Sequence, residues 1–296
     1  VLSSASRQGM SSKSVPPVIV IGMHRSGTSM ITRMLERLGL FLGKQKDPND
    51  EAYFFLKNNR WLLEQCGGAW DHPEAITDLL ETPEVRSLCV DYLRQILRTR
   101  GRLKFLGVRR ALRGQNLMAM TQAWGWKDPR NTFTLPIWLD LFPRARIIHI
   151  CRHGCDVARS LKKRECNQLE VSRVRHRRRR WLYWLHPKEH GFVRSPRCLS
   201  IKKGIRLWDT YMNRAKQHVN HLGKRAHSLR YESFLTTPRP ELKELADFCD
   251  LDVADSEIRR CVEKVDASRS FAYRGDSEFT IPSESRRLLE KHGYEF

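Results

Sequence analysis

VIVIGMHRSGTSM, residues 18–30, opens with four branched apolar residues that end on a glycine. Such a run reads as a buried strand, and the glycine as the start of a turn. From Gly27 the residues Met30, Ile31, Met34, Leu35 and Leu38 repeat at helical spacing, so an amphipathic helix is expected to about Leu38. Strand, glycine loop and helix together outline a phosphate cradle, whose nucleotide-hydrolysing form is GxxxxGK[ST]. Gly22 and Gly27 keep the glycine spacing, and Ser29 keeps the hydroxyl. Thr28 stands where the lysine is required, and the nearest cation is Arg25, inside the loop. The amides of Ser26 to Ser29 are expected to face an anion at the helix N-terminus, with Arg25, Thr28 and Ser29 adding side-chain donors.

Outward from this loop, strand and helix signals alternate. GKQKDPNDEA, residues 43–52, is a polar loop, and helices are expected near 54–66 and 83–99. WGWKDPR, 124–130, leads into a helical segment to about Phe142, and RIIHIC, 146–151, is a second strand. Asp156 is read as the cap of a helix to about Glu165. A long helix over 202–222, a strand at 226–231, a helix at 240–249 and a terminal helix complete the pattern. This alternation predicts a single-domain α/β fold, a central parallel sheet flanked by helices, over residues 18–296. Residues 1–17, Ser-rich and without an apolar core, read as a flexible leader rather than a secretion signal.

The 296-residue chain is long enough to bury roughly three quarters of its unfolded surface. It carries 54 Lys and Arg against 33 Asp and Glu, a formal charge of +21. Such an excess implies an anionic partner without choosing among nucleotide, nucleic acid, polysaccharide and membrane surface. The eight cysteines contain no CxxC pair. HICRHGC, residues 149–155, alternates two His and two Cys along a strand, a pattern that cannot converge on one zinc ion without distortion, so no metal is expected. No apolar run approaches the roughly 20 residues of a membrane span. Reduced thiols and the lack of a span point to the cytoplasm, with the luminal domain of a truncated membrane enzyme as the alternative.

A second phosphate motif lies in CRHGCDVARSL, 151–161: Arg152 ends a strand, and Ser160 follows eight residues later inside the next helix. With HRSGTS in the first loop, this pairing resembles the sulfotransferases that use 3′-phosphoadenosine-5′-phosphosulfate. The resemblance runs from Val18 to about Leu251. It implies that Arg25, Ser26, Gly27, Thr28 and Ser29 hold the 5′-phosphosulfate, and that Arg152 and Ser160 hold the 3′-phosphate. Sulfuryl transfer needs no bridging magnesium, which is consistent with the missing lysine. WGWKDPR is similar to a segment of bacterial sulfotransferase-like proteins and of tyrosylprotein sulfotransferases, implying that Lys127 is the second catalytic cation beside Arg25. LRYESF, 229–234, resembles the segment whose tyrosine lies against the adenine, here Tyr231. AYRG, 272–275, resembles a late segment that reaches the 3′-phosphate, here through Arg274.

The general base stays open. Phe55 stands where related sequences carry an acid, and Asp47, Asp50, Glu51 and His24 are the neighbouring candidates, each read as a solvated loop residue. RVRHRRRR, 173–180, holds six arginines in eight residues and reads as a solvated basic face. Its functional reading is a site near Arg177–Arg180 for an anionic saccharide acceptor, a hydroxyl-bearing one. No specific nucleic-acid reader accompanies it. Two other function classes remain: a kinase or nucleotide hydrolase, and a non-enzymatic polyanion-binding protein.

Overall fold

A computed structural model describes residues 14–99, 101–112, 115–188, 191–277 and 279–295. Four strands, β1 (Val18–Gly22), β2 (Gly125–Lys127), β3 (Arg146–Cys151) and β4 (Ala226–Arg230), form one parallel sheet in the order β2-β1-β3-β4. The helices are α1 (Thr28–Arg37), α2 (Tyr53–Glu64), α3 (Ile76–Glu81), α4 (Pro83–Ile96), α5 (Arg102–Leu106), α6 (Val108–Leu112), α7 (Asn131–Leu141), α8 (Gly154–Arg179), α9 (Ile201–Leu222), α10 (Tyr231–Thr236), α11 (Pro238–Phe248), α12 (Asp255–Val262) and α13 (Ser283–Lys291). The single α/β fold expected from the alternation is the fold observed.

Alternation along β1 sorts the core into two layers. Ile19 and Ile21 join the cluster built with Trp126, Trp138, Leu161 and Trp208, while Val18 and Val20 join Ile31, Leu35, Leu229 and Leu245 on the opposite face. Both faces of a parallel sheet are thereby covered, which is why β1 is apolar at every position. Phe55 is fully buried and stacks on Trp126 at 3.8 Å. A carboxylate at this position would be stripped of water with no partner charge.

Two boundaries differ from expectation. The helix expected to end near Glu165 runs on to Arg179, because residues 166–179 contain neither Gly nor Pro and are mostly good helix formers. Its N-cap is His153, whose Nδ1 accepts from the Cys155 amide at 3.2 Å, so Asp156 is a first-turn residue and not the cap. Of the expected leader, residues 1–13 lie outside the described residues. Residues 14–17 are held on the fold: the Val15 amide donates to the Met120 carbonyl, and the Arg146 amide donates to the Pro17 carbonyl. No helix among the described residues is long and apolar enough to cross a membrane.

Candidate active site

All four strands deliver their functional residues to one edge of the sheet, the carboxyl edge, as a parallel sheet with right-handed crossovers does. β1 leads into the Met23–Gly27 loop, β2 ends on Lys127, β3 is followed by Arg152 and β4 by Tyr231.

The loop is tightly made. Gly27 has φ 86°, and a Cβ there would lie 2.2 Å from the Tyr231 ring. Only glycine lets the loop rest on that tyrosine. Arg25 has φ 71°, an unusual value for a side-chain-bearing residue and a sign of a backbone held for a purpose. The Ser26 amide is spent on a turn to the Met23 carbonyl, which departs from the expectation that it faces the anion. The amides of Gly27, Thr28 and Ser29 donate to no described residue. Ser26 Oγ is buried and has no hydrogen-bond partner. A buried hydroxyl in that state costs about 1–3 kcal/mol, which an acceptor atom of a ligand would relieve.

Arg25 and Lys127 flank the loop from two sides. Arg25 Nε donates to Ser160 Oγ at 2.8 Å, joining the first loop to the second turn of α8. Burial, then the charges of Arg164 and Arg152, push the Arg25 pKa down. Three guanidinium groups therefore share one region; Arg152 pairs with Asp156 and Arg164 with Glu165, while Arg25 has no ion pair among the described residues. Arg152 donates through Nη2 to the Arg269 carbonyl at 2.9 Å, pairs with Asp156 at 3.1 Å and lies 4.7 Å over the Tyr231 ring. Its Nε is buried and unpartnered. Asp156 Oδ1 in turn accepts from the Tyr273 amide at 2.8 Å, which docks the 3₁₀ turn Ala272–Gly275, with exposed Arg274, against the start of α8.

On the other side Lys127 is almost fully buried. Its Nζ donates to Asn49 O at 2.9 Å, Glu51 Oε1 at 3.2 Å and Ser29 Oγ at 3.3 Å. Glu51 is not the solvated loop residue expected from the sequence: it is 3% exposed and also pairs with Arg130 at 3.1 Å, while Arg130 pairs with Asp128 at 2.9 Å. The four charges cancel, which is what makes their common burial tolerable. Burial and then the Asp128 charge raise the Glu51 pKa, outweighing Lys127 and Arg130. For Arg130 burial acts against the charge, but Asp128 and Glu51 hold its pKa above the ordinary value. Asp47 and Asp50 do behave as loop residues: Asp47 accepts from the amides of Asn49 and Glu51, and Asp50 pairs with Arg33.

His24 is half-buried beside Trp70, with ring centroids 4.8 Å apart, and its Nε2 has no partner. Burial, then Arg130, Arg164, Lys127 and Arg194, drive its pKa well below the ordinary histidine value, so the ring is neutral at pH 7. The His and Cys residues of HICRHGC take separate partners instead of a common point: His149 meets Ser228, Cys151 donates to the Leu229 carbonyl, and His153 caps α8. All eight cysteines are unbridged.

Sequence reasoning missed Arg130 and undervalued Glu51. The alternating charges of KDPR were a signal for the first. Nothing local marks the second, since both of its partners lie more than seventy positions away.

Free amides at the N-terminus of α1 and the cations Arg25 and Arg152 thus lie together at the carboxyl edge of an α/β sheet, an arrangement suited to anions. The model of the sulfotransferase family matches residues 16–255, and the chain belongs to that family. It is a sulfotransferase, and transfer from 3′-phosphoadenosine-5′-phosphosulfate is general among its members. No curated protein sequence matches the chain. Among solved structures, the sulfotransferase domain of the Synechococcus PCC 7002 olefin synthase is similar, with TM-score 0.54 and 17% identity over 96% of both chains. The sulfotransferase domain of the curacin biosynthetic pathway has TM-score 0.55 and 15% identity, covering 96% of this chain and 99% of its own. Both likenesses concern the fold.

Proposed function

We propose that this enzyme moves a sulfuryl group from 3′-phosphoadenosine-5′-phosphosulfate to a hydroxyl or amine of a carbohydrate, lipid or small-molecule acceptor. The observation that carries the reading is the Arg25–Ser160 hydrogen bond, which brings the two phosphate motifs, 135 positions apart, to one site. The donor's 5′ side fits the loop: the free amides of Gly27, Thr28 and Ser29 and the orphaned Ser26 Oγ are donors awaiting acceptor atoms. Its 3′-phosphate fits Arg152, whose buried Nε lacks a partner, with Ser160 and Arg274 nearby. Tyr231, under Gly27 and beside Arg152, is assigned to the adenine side of the donor.

In this reading Arg25 and Lys127 stabilise charge that develops on the leaving 5′-phosphate. Lys127 reaches the loop at Ser29 Oγ, while the Asn49 carbonyl and Glu51 hold its ammonium in place beside the donor's 5′ side. Glu51 takes the acceptor's proton. A base must hold a proton in mid-reaction; burial and the Asp128 charge raise the Glu51 pKa, whereas burial and four nearby cations keep His24 neutral. His24 is then suited to orient the acceptor through its free Nε2.

The test is calorimetric titration with adenosine 3′,5′-bisphosphate, ATP and a short oligonucleotide in turn. The bisphosphate is expected to bind most tightly, and transfer to proceed in excess EDTA. Tighter ATP binding with an absolute magnesium requirement would favour a kinase or hydrolase instead.

A further inference from the structure

We infer that the distal end of α8 is a docking surface for anionic lipid bilayers, built from Arg177–Arg180 and the aromatic turn that follows them. α8 has 26 residues, a length of about 39 Å at helical rise. Its first half is buried against the body of the protein, and its second half projects.

One side of the projecting half is occupied. Ser172 Oγ donates to the Phe192 carbonyl at 2.6 Å, and the His176 ring stacks on Tyr183 and meets Phe192 edge-on, both at 5.5 Å. The chain after α8 therefore folds back on this side and fixes the turn that carries Trp181 and Trp184. The other side is open. Val171, Val174, Arg178 and Trp181 follow one another at helical spacing, and all four are exposed. Trp181 is 65% exposed, Trp184 78% and Leu185 52%. Arg177, Arg178, Arg179 and Arg180 are exposed as well and ion-pair with no described residue.

Charge alone would fit any soluble polyanion, including the anionic saccharide that the basic run suggests. The neighbouring apolar groups narrow the choice. A polysaccharide uses the arginines and leaves Leu185, Val171 and Val174 wet. A single-stranded nucleic acid uses the tryptophan rings but not the aliphatic side chains. A bilayer interface uses both: indoles sit at headgroup depth, aliphatic chains reach the acyl boundary, and guanidinium groups meet lipid phosphates. The enzyme would lie on such a surface rather than cross it. Each arginine near an anionic leaflet raises binding roughly fivefold, and the tryptophans add the part that salt does not screen.

Co-sedimentation of the full chain with vesicles tests this. Vesicles of phosphatidylcholine mixed with phosphatidylserine are compared with phosphatidylcholine alone, and soluble heparin serves as the competing class of ligand. The parent is expected to bind the mixed vesicles at least about tenfold better than the neutral ones. Neutralising Arg177, Arg178, Arg179 and Arg180 to Gln is expected to abolish that preference. Trp181→Ser with Trp184→Ser is expected to cost about tenfold on mixed vesicles while leaving heparin binding unchanged. Trp184→Ser alone, at the more exposed ring, is expected to lose about threefold at an unaltered melting temperature. The inference is overturned if the parent ignores mixed vesicles. It is overturned equally if the tryptophan variants bind them as the parent does, since the surface would then be a plain polyanion site.

Discussion

The two ends of α8 use arginine in opposite ways. At the N-terminal end Arg152 has an ion pair, a carbonyl and an aromatic ring within contact, and Arg25 reaches in to Ser160. At the C-terminal end Arg177–Arg180 have no ion pair among the described residues and stand in solvent. Guanidinium groups fixed by short contacts recognise one anion at one distance. Solvated ones supply a field that any anionic surface feels and that salt screens. The same residue thus confers specificity at one end and adhesion at the other. The contrast sets the expected sizes of the effects that follow, which shrink with distance from the buried cluster beside the loop.

The largest effect is expected at Glu51. Glu51→Gln keeps the shape and removes the proton acceptor, and should lower kcat by about 10²–10⁴. Because the folded pKa is raised, parent activity should fall with decreasing pH at a point above the ordinary glutamate range, and the Gln variant should lose that acid limb. The same shift has a stability sign. A raised carboxyl binds more protons folded than unfolded, so Glu51 withdraws stability as pH rises through the interval between its ordinary and its folded pKa. Thermal melting across that interval should show a steeper loss in the parent than in Glu51→Gln. A His24→Phe variant that abolished the acid limb while Glu51→Gln kept it would transfer the base to His24.

Lys127→Ala comes next, with kcat lowered by about 10²–10³, the scale of losing one preorganised donor. The bisphosphate product should change in affinity far less than the rate changes, because charge on the bridging oxygen appears only as the S–O bond breaks. Burial adds a second consequence. Removing Lys127 leaves Glu51 with one cation, and breaking a buried pair costs about 3–5 kcal/mol, readable as a fall in melting temperature. Lys127→Arg should restore part of both. An Ala variant that hydrolyses donor at the parent rate would leave Arg25 as the sole cation acting on the leaving group.

Much of this arrangement was legible in the sequence. The loop, Arg152 and Ser160 were read from local spacing after a strand, and Lys127 and Tyr231 from the resemblance; all of them lie at the carboxyl edge of the sheet. β1 was legible because a central parallel strand can be apolar throughout, and β3 because Ile147, Ile148 and Ile150 make a short branched apolar run. β2 was not drawn as a strand, since three residues ending in a lysine carry no periodicity. The full length of α8 was hidden by polar composition: beyond Glu165 no apolar stripe persists, and continuation rests on propensity alone. Glu51 sits in a polar loop whose composition reads as solvated. Only the long-range meeting with Lys127 and Arg130 buries it.

Arg152→Ala bears directly on the contrast between the ends of α8. A charge-assisted contact to a phosphate is worth about 1.5–3 kcal/mol, so adenosine 3′,5′-bisphosphate should bind roughly tenfold to a hundredfold more weakly. An analogue lacking the 3′-phosphate should barely respond. Equal losses for the two ligands would mean that Arg152 acts by holding Tyr231 or Asp156 and not by meeting the phosphate.

The smallest effect is expected at the far end. Nineteen helical residues separate Ser160 from Arg179, about 28 Å along the axis. That is several times the Debye length of about 8 Å at physiological ionic strength, so exposed charges there are screened from the donor. Neutralising Arg177, Arg178, Arg179 and Arg180 to Gln together should change bisphosphate affinity by no more than about twofold in such a buffer. Lowering the salt sharpens the comparison. At about 0.01 M the Debye length grows to about 30 Å, and a modest weakening of the variant relative to the parent should emerge. Arg152→Ala should show a large loss at both salt concentrations, because its contact is short and shielded from ions. If the fourfold variant loses bisphosphate affinity at physiological salt while its melting temperature is unchanged, the distal arginines reach the donor site, and the division of α8 into a recognising end and an adhesive end fails.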